Sequence, residues 1–340
     1  MKIKKLFFAA AAAMTLTACS NDDAVQNVLP VSQFPEDGVM RFTTNLVDPT
    51  AAATRASITS SDVNKDGQQF QVKIVNNASD VYSYFANVVY DGYQWNPQTR
   101  MLWQNKTTPI TVTAAYMQGK TFTNSEFENG ADLTVAADQS TEAKLKQQDL
   151  LTMPTKTIAN PSSETVLLQG GKLVINFYHA LAKLDVTLEL KDEFYLIGQN
   201  NPTDITEFTI KGTNAGYNFK AMTANSTNTY GVVTPAETPV AADILANQCE
   251  FTAATAENKH STAKYESIVV PQAIAAGALT VSFKIGDRSF SWTNTSAFTL
   301  EQGKHYTLPL TVGNNAVSMA SGALSVGSWG NGTGDTLGTE

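Results

Sequence analysis

Apolar and polar residues alternate in short runs along most of this chain. Across residues 39–47, Met40, Phe42, Thr44 and Leu46 fall on one face at a period of two, the spacing of a strand with one side buried. Similar runs follow at 70–75, 81–90, 93–95, 101–103 and 110–116, with turn dipeptides such as Asp91-Gly92 and Asn96-Pro97 between them. Residues 142–151 read as a short helix. A loop rich in Pro, Ser and Asn breaks the pattern at 158–164. Strands resume at 166–168, 172–177, 184–190, 207–211, 267–270, 279–285, 289–292 and 306–312, and the last candidates are 316–319 and 324–326. Many short strands with few helices predict an all-β fold of two tandem β-sandwich domains, 56–163 and 164–340. No internal repeat is visible.

The first residues follow a different pattern. Lys2, Lys4 and Lys5 precede an apolar run from Leu6 to Leu16, which is too short to span a bilayer as a helix. Leu16-Thr17-Ala18-Cys19 then closes an export signal, residues 1–18, with a cysteine placed to carry lipid. Each buried methylene contributes about 0.8 kcal/mol, so two or three acyl chains on Cys19 would hold the protein on a membrane. Residues 19–55 comprise a lipidated tether, the first strand and a short linker of small residues. Asp22-Asp23 resembles the short acidic signals that send lipoproteins to the outer surface.

Composition sharpens this reading. Only 16% of residues are charged, and the net charge of −8 argues against nucleic acid as a partner. The second cysteine, Cys249, has no disulfide partner once Cys19 carries lipid, so packing and strand pairing must supply stability. Asp62-Val63-Asn64-Lys65-Asp66-Gly67 resembles the start of a calcium loop, but Lys73 stands where a bidentate carboxylate is required, and an Asx-type turn is the expectation. His179, His260 and His305 lack zinc-ligand spacing, and His179 reads as a packed, hydrogen-bonded imidazole. No nucleophile elbow, metal-binding helix or phosphate loop occurs, and no cofactor, metal or enzymatic activity is expected. Tyr82, Tyr84, Tyr90, Tyr93, Trp95 and Trp103 cluster, either filling the first core or forming a platform for sugars.

Arg55 lies in Ala51-Ala52-Ala53-Thr54-Arg55-Ala56-Ser57, a stretch of small residues of the kind proteases cut. It separates the tether and the first strand from everything that follows.

These residues resemble the fimbrillins, the subunits of type V pili, including the Mfa-like or fimbrillin-like lipoproteins. The most specific piece runs from Leu173 through Phe177 to His179-Ala180-Leu181-Ala182-Lys183. Trp95 and Trp103, Asp149-Leu150-Leu151, Val270-Pro271-Gln272, Gly303-Lys304-His305-Tyr306 and Val326 with Trp329 match in order. The resemblance implies transthyretin-like β-sandwiches and a precursor carried to the outer membrane. There an arginine-specific protease would cut after Arg55, leaving Ala56 first. Met40, Phe42, Thr44 and Leu46 would leave with the discarded strand, opening a groove for a strand from another subunit.

Physics favours the same mechanism. Burying Met40, Phe42 and Leu46 contributes roughly 5–9 kcal/mol at about 1.5–3 kcal/mol per side chain. Removing their strand exposes an edge that templates pairing, and strand addition satisfies both losses. Since the donor belongs to another subunit, the contact runs head to tail and gives a fimbria at the cell surface, with adhesion to a host or bacterial receptor as its expected use. Val317, Met319, Leu324 and Val326 form the candidate donor strand. If they belong to the chain's own second sheet, a tip or anchor role is expected instead. The rival is a monomeric surface lipoprotein that binds glycans through the aromatic cluster.

Overall fold

A computed structural model describes residues 33–47, 57–222, 231–320, 324–329 and 335–336. Cys19, Arg55 and Ala56 lie outside them. The described residues form one compact unit.

The strands in chain order are β1 (Phe42–Leu46), β2 (Gln69–Val75), β3 (Tyr84–Tyr90), β4 (Trp95–Pro97), β5 (Ile110–Met117), β6 (Ala131–Thr134), β7 (Leu150–Ile158), β8 (Leu168–Gln169) and β9 (Lys172–His179). They continue as β10 (Ala182–Leu190), β11 (Ile205–Asn214), β12 (Gly216–Lys220), β13 (Val232–Pro235), β14 (Ala241–Leu245), β15 (Asn247–Thr252) and β16 (Ser261–Val269). The last are β17 (Gln272–Ile274), β18 (Thr280–Ile285), β19 (Arg288–Thr293), β20 (Phe298–Leu300), β21 (Lys304–Val312), β22 (Val317–Met319), β23 (Ser325–Ser328) and β24 (Asp335–Thr336). The described helices are short: α1 (Ser60–Val63), α2 (Asn124–Asn129), α3 (Glu142–Lys146) and α4 (Asp192–Leu196). The fold is all-β, as the alternation predicts.

Two hydrophobic cores organise the sheets. Around the first, the order β1-β4-β3-β2-β5-β7-β9 returns to β1, because β1 pairs with β9 as well as β4. The sheet therefore closes on itself, and β1 is the strand that closes it. Phe42, Phe70, Val72, Trp95, Trp103, Val112, Ile175 and Phe177 point into this core. The second core lies among the sheet β15-β16-β10-β21-β23-β24, to which β22 adds on β21, and the sheet β14-β11-β18-β19. Leu184, Val186, Leu188, Ile210, Val281, Phe283, Leu308 and Leu310 fill it.

The cores do not part at 163/164. β9, expected in the C-terminal half, pairs with β1 and β7 and contributes Leu173, Ile175 and Phe177 to the first core. Phe122, Phe127, Leu145 and Leu150, from the N-terminal half, join the second. The expected helix over 142–151 stops at Lys146, and Leu150 starts β7. Thr141 Oγ1 accepts from the Lys144 amide to start α3, and Asp149 N–H closes a turn on Lys146 O. From Leu150 to Met153 both strand faces are buried, so no alternation marks the strand. The expected strand at 101–103 is reduced to a single bridge between Leu102 and Val39.

Candidate functional site: the groove filled by β1

β1 lies in a groove whose two walls differ. On one side it runs parallel to β9 over five pairs, from Phe42↔Leu173 to Leu46↔Phe177. Leu173 N–H donates to Arg41 O at 2.7 Å and Val47 N–H to Phe177 O at 2.8 Å, which extends this ladder at both ends. On the other side β1 is antiparallel to β4 and meets it at one pair, Phe42↔Trp95. Before that pair, the Met40 amide donates to Met101 O at 3.0 Å and the Trp103 amide to Gly38 O at 2.9 Å. A cavity of about 280 Å³ opens in this second seam, lined among others by Met40, Phe42, Gln94, Trp95, Arg100 and Met101.

The inward face of the strand is the one the alternation picks out. Met40, Phe42 and Leu46 are 1%, 3% and 8% exposed. The Phe42 ring meets Phe70 edge to face at 6.1 Å, and Phe70 in turn meets Trp95 at 4.8 Å and Phe177 at 5.6 Å. On the outward face, Arg41 pairs with Asp37 and holds its carboxyl well below the usual range. Asn45 Nδ2 donates to Asn176 Oδ1.

Thr44 is handled differently. Beyond Trp95 no β4 residue faces β1, and Asn64 at the end of α1 takes that place. Asn64 Oδ1 accepts from Thr44 Oγ1 at 2.8 Å and from Trp95 Nε1 at 3.0 Å, while its Nδ2 donates to Ser60 O at 2.9 Å. An indole N–H can only donate, so the amide must turn its oxygen to Trp95, and the Thr44 hydroxyl must then be the donor. The sequence read this stretch as an Asx-type turn. Its structure is a capped helical turn, with Thr59 Oγ1 on the Asp62 amide and Asp62 Oδ2 on the Thr59 amide. Burial opposes ionisation of Asp62, but bonds from Thr59 and the Lys146 ammonium outweigh it and lower its pKa. Asn64 was missed because its partners lie 20 and 31 residues away in sequence.

The segment 48–56, which carries Arg55 and Ala56, lies outside the described residues. The chain beyond it is held firmly. Ser57 and Ile58 are buried, and the Ile58 amide donates to Asp149 Oδ2 at 3.0 Å. Asp149 Oδ1 lies 2.9 Å from His179 Nδ1, and the His179 ring stacks on Trp329 at 4.4 Å, so His179 is the packed, hydrogen-bonded imidazole the sequence suggested.

Of the candidate donor residues, Val317, Met319 and Val326 lie in the chain's own second sheet, and Leu324 immediately precedes β23. β22 pairs with β21 through Met319↔Leu310 and Val317↔Val312, and β23 pairs with the other end of β21 through Val326↔Tyr306. Val317, Met319 and Val326 are partly buried against the second core, while Leu324 and Trp329 are fully buried. In the aromatic cluster, Trp95 and Trp103 are buried in the first core, and Tyr93 stands on a hairpin tip at 92% exposure. The two tryptophans therefore form no surface platform. Beside the second core, Lys183, Asp185 and Glu266 are buried together. Lys183 Nζ is 2.9 Å from Glu266, and Lys264 and His305 each approach Asp185 at 2.8 Å. Among the described residues no group of three metal-ligating side chains occurs.

The fold is shared with a candidate cell adhesion protein from Bacteroides uniformis, at 16% identity and a TM-score of 0.54 over 87% of this chain and 99% of that one. A second, from Bacteroides ovatus, is also 16% identical, with a TM-score of 0.53 over 86% and 97%. No curated protein matches the chain in sequence. The sequence model of the family described as fimbrillin-like matches residues 54–329, most of both cores. The chain belongs to the fimbrillin-like family.

Proposed function

We propose that this protein is a cell-surface fimbrial subunit, exported as a lipoprotein anchored through Cys19, whose β1 is a removable filler. Cutting after Arg55 releases β1, and a strand from another subunit takes the groove between β4 and β9. One observation carries the reading: β1 bridges β4 and β9 in the closed first sheet, and it does so with Met40, Phe42 and Leu46 buried. Two others support it. The family match begins at residue 54, after β1. Ser57 and Ile58 are fixed in the body, so a cut in 48–56 detaches only the strand and its tether. The protein acts by binding other subunits rather than by catalysis.

The same chain can donate. β22 is an edge strand with Val317 and Met319 only half-buried, and donation requires it to give up its three pairs with β21, after which head-to-tail repetition gives a filament. A terminal position in the fimbria is the second reading, favoured by the burial of Leu324 and Trp329 in the chain's own core.

The test is the mature N-terminus on protein taken from cells. A start at Ala56, and surface-anchored monomers without polymer from Arg55→Ala, are the expected results. Filaments from Arg55→Ala would refute the cut site. A lipidated start at Cys19 in all surface protein would refute the cleavage and favour an anchor subunit that keeps its tether.

A further inference from the structure

The groove contains a selective element that neither its apolar lining nor its ladder explains. We propose that Asn64 reads the incoming strand, requiring a hydroxyl at the position now held by Thr44 and so fixing the register of the exchange. The proposal rests on the removable-strand reading and adds the chemistry of the partner.

The two halves of the groove impose different demands. Main-chain pairing with β9 accepts any sequence and tolerates slippage by two residues, which returns the same face to the core. Apolar contacts at the Met40, Phe42 and Leu46 positions discriminate weakly among apolar side chains. Asn64 differs because its geometry is preset without β1. The Trp95 indole and Ser60 carbonyl fix the amide, while Thr59, Asp62 and Lys146 hold α1, and all of these lie after the proposed cut. When β1 leaves, one lone pair of Asn64 Oδ1 loses its donor. A strand with Ser or Thr at that position restores the bond, and one shifted by two residues presents an apolar side chain there instead.

The required strand therefore reads apolar, apolar, hydroxyl, apolar at alternate positions, parallel to β9. This chain carries that order at Val317, Met319, Ser321 and Ala323. Leu324, Val326 and Ser328 repeat its first three members, but Gly330 follows and would leave the Leu46 position empty. Segment 317–323 of a second copy is the occupant we assign.

The experiment uses the full chain with a sequence-specific protease site placed within 48–56, nicked and then challenged with labelled peptides. The peptides are residues 38–47, the same with Thr44→Val, residues 315–324, and the same with Ser321→Ala. Valine keeps the shape of threonine and removes only the hydroxyl. A hydrogen bond of ordinary net strength predicts binding about five- to tenfold weaker for each hydroxyl-free peptide. In Asn64→Ala protein, checked for an unchanged near-ultraviolet circular dichroism spectrum, the 38–47 peptide and its Thr44→Val form should bind within about twofold of each other. Because the decisive changes lie in the peptides, the protein's folding does not enter that comparison. Equal binding of the paired peptides to the unaltered protein overturns the role of Asn64. Failure of 315–324 alone, with 38–47 and its valine form discriminated, overturns the second copy as occupant. If even 38–47 does not exchange, the removable-strand reading fails, and this inference with it.

Discussion

Replacing Phe42 with alanine tests how firmly β1 holds the first sheet closed. The side chain is 3% exposed and its ring meets Phe70 edge to face at 6.1 Å, beside Trp95 and Phe177. A buried Phe→Ala change costs about 3–5 kcal/mol, from lost transfer energy and the cavity left behind. At about 1.4 kcal/mol per decade, the open state gains roughly 10²–10⁴-fold in population. The amide of Leu173 reports that opening directly, since its N–H donates to Arg41 O and is freed only when β1 lifts away. Hydrogen exchange at Leu173 should accelerate by about the same factor in Phe42→Ala, while amides of β10 and β21 stay protected. A rise below about tenfold would mean that the Phe42 side chain does not hold the strand, and the energetic case for a stored plug would fall.

Three further outcomes test other parts of the fold. Burial opposes ionisation of Asp185, but Lys183, His305 and Lys264 outweigh it and bring the carboxyl from 3.8 to about 2. Its folded value lies below its unfolded one, so this stabilisation is present above the unfolded value and lost as pH falls toward 2. Asp185→Asn should flatten acid unfolding of the second core in that window. Burial pushes the Cys249 thiol up to about 12, so native protein at pH 8 should react with iodoacetamide about 10³-fold more slowly than a free thiol, with normal reactivity returning in denaturant. Gly212 has φ +86°, and a Cβ there would lie 1.8 Å from Ala278 O, so Gly212→Ala should lower stability by about 1–3 kcal/mol in urea unfolding of the β11–β18 region.

Much of this was legible in the chain itself. The period-two placing of Met40, Phe42 and Leu46 names the face that is buried, and half-buried strands such as β2, β18 and β21 show themselves in the same way. The alternation fails where both faces are covered. Leu150 to Met153 reads as a helix continuation, and only tertiary packing makes it a central strand of the ring. The partition of the cores was hidden for a related reason. The loop at 159–164 is real, but β9 crosses back to pair with β1, and a parallel pairing over 131 residues leaves no mark on local sequence. Asn64 lies in a stretch expected to form a local Asx-type turn, whereas its side chain serves Thr44 and Trp95, which the fold alone brings together.

The parallel run of β1 along β9 has a mechanical meaning. β9 ends at His179, and after the buried Ala180 and Leu181 the backbone enters β10, which is held between β16 and β21. A strand seated where β1 sits, if pulled along its length, strains the five pairs with β9 together in shear instead of peeling them one by one. The pull then passes along a single continuous backbone into the middle of the neighbouring sheet. A fibre built on this joint would resist flow along its axis far better than it resists a sideways pry at the β4 seam.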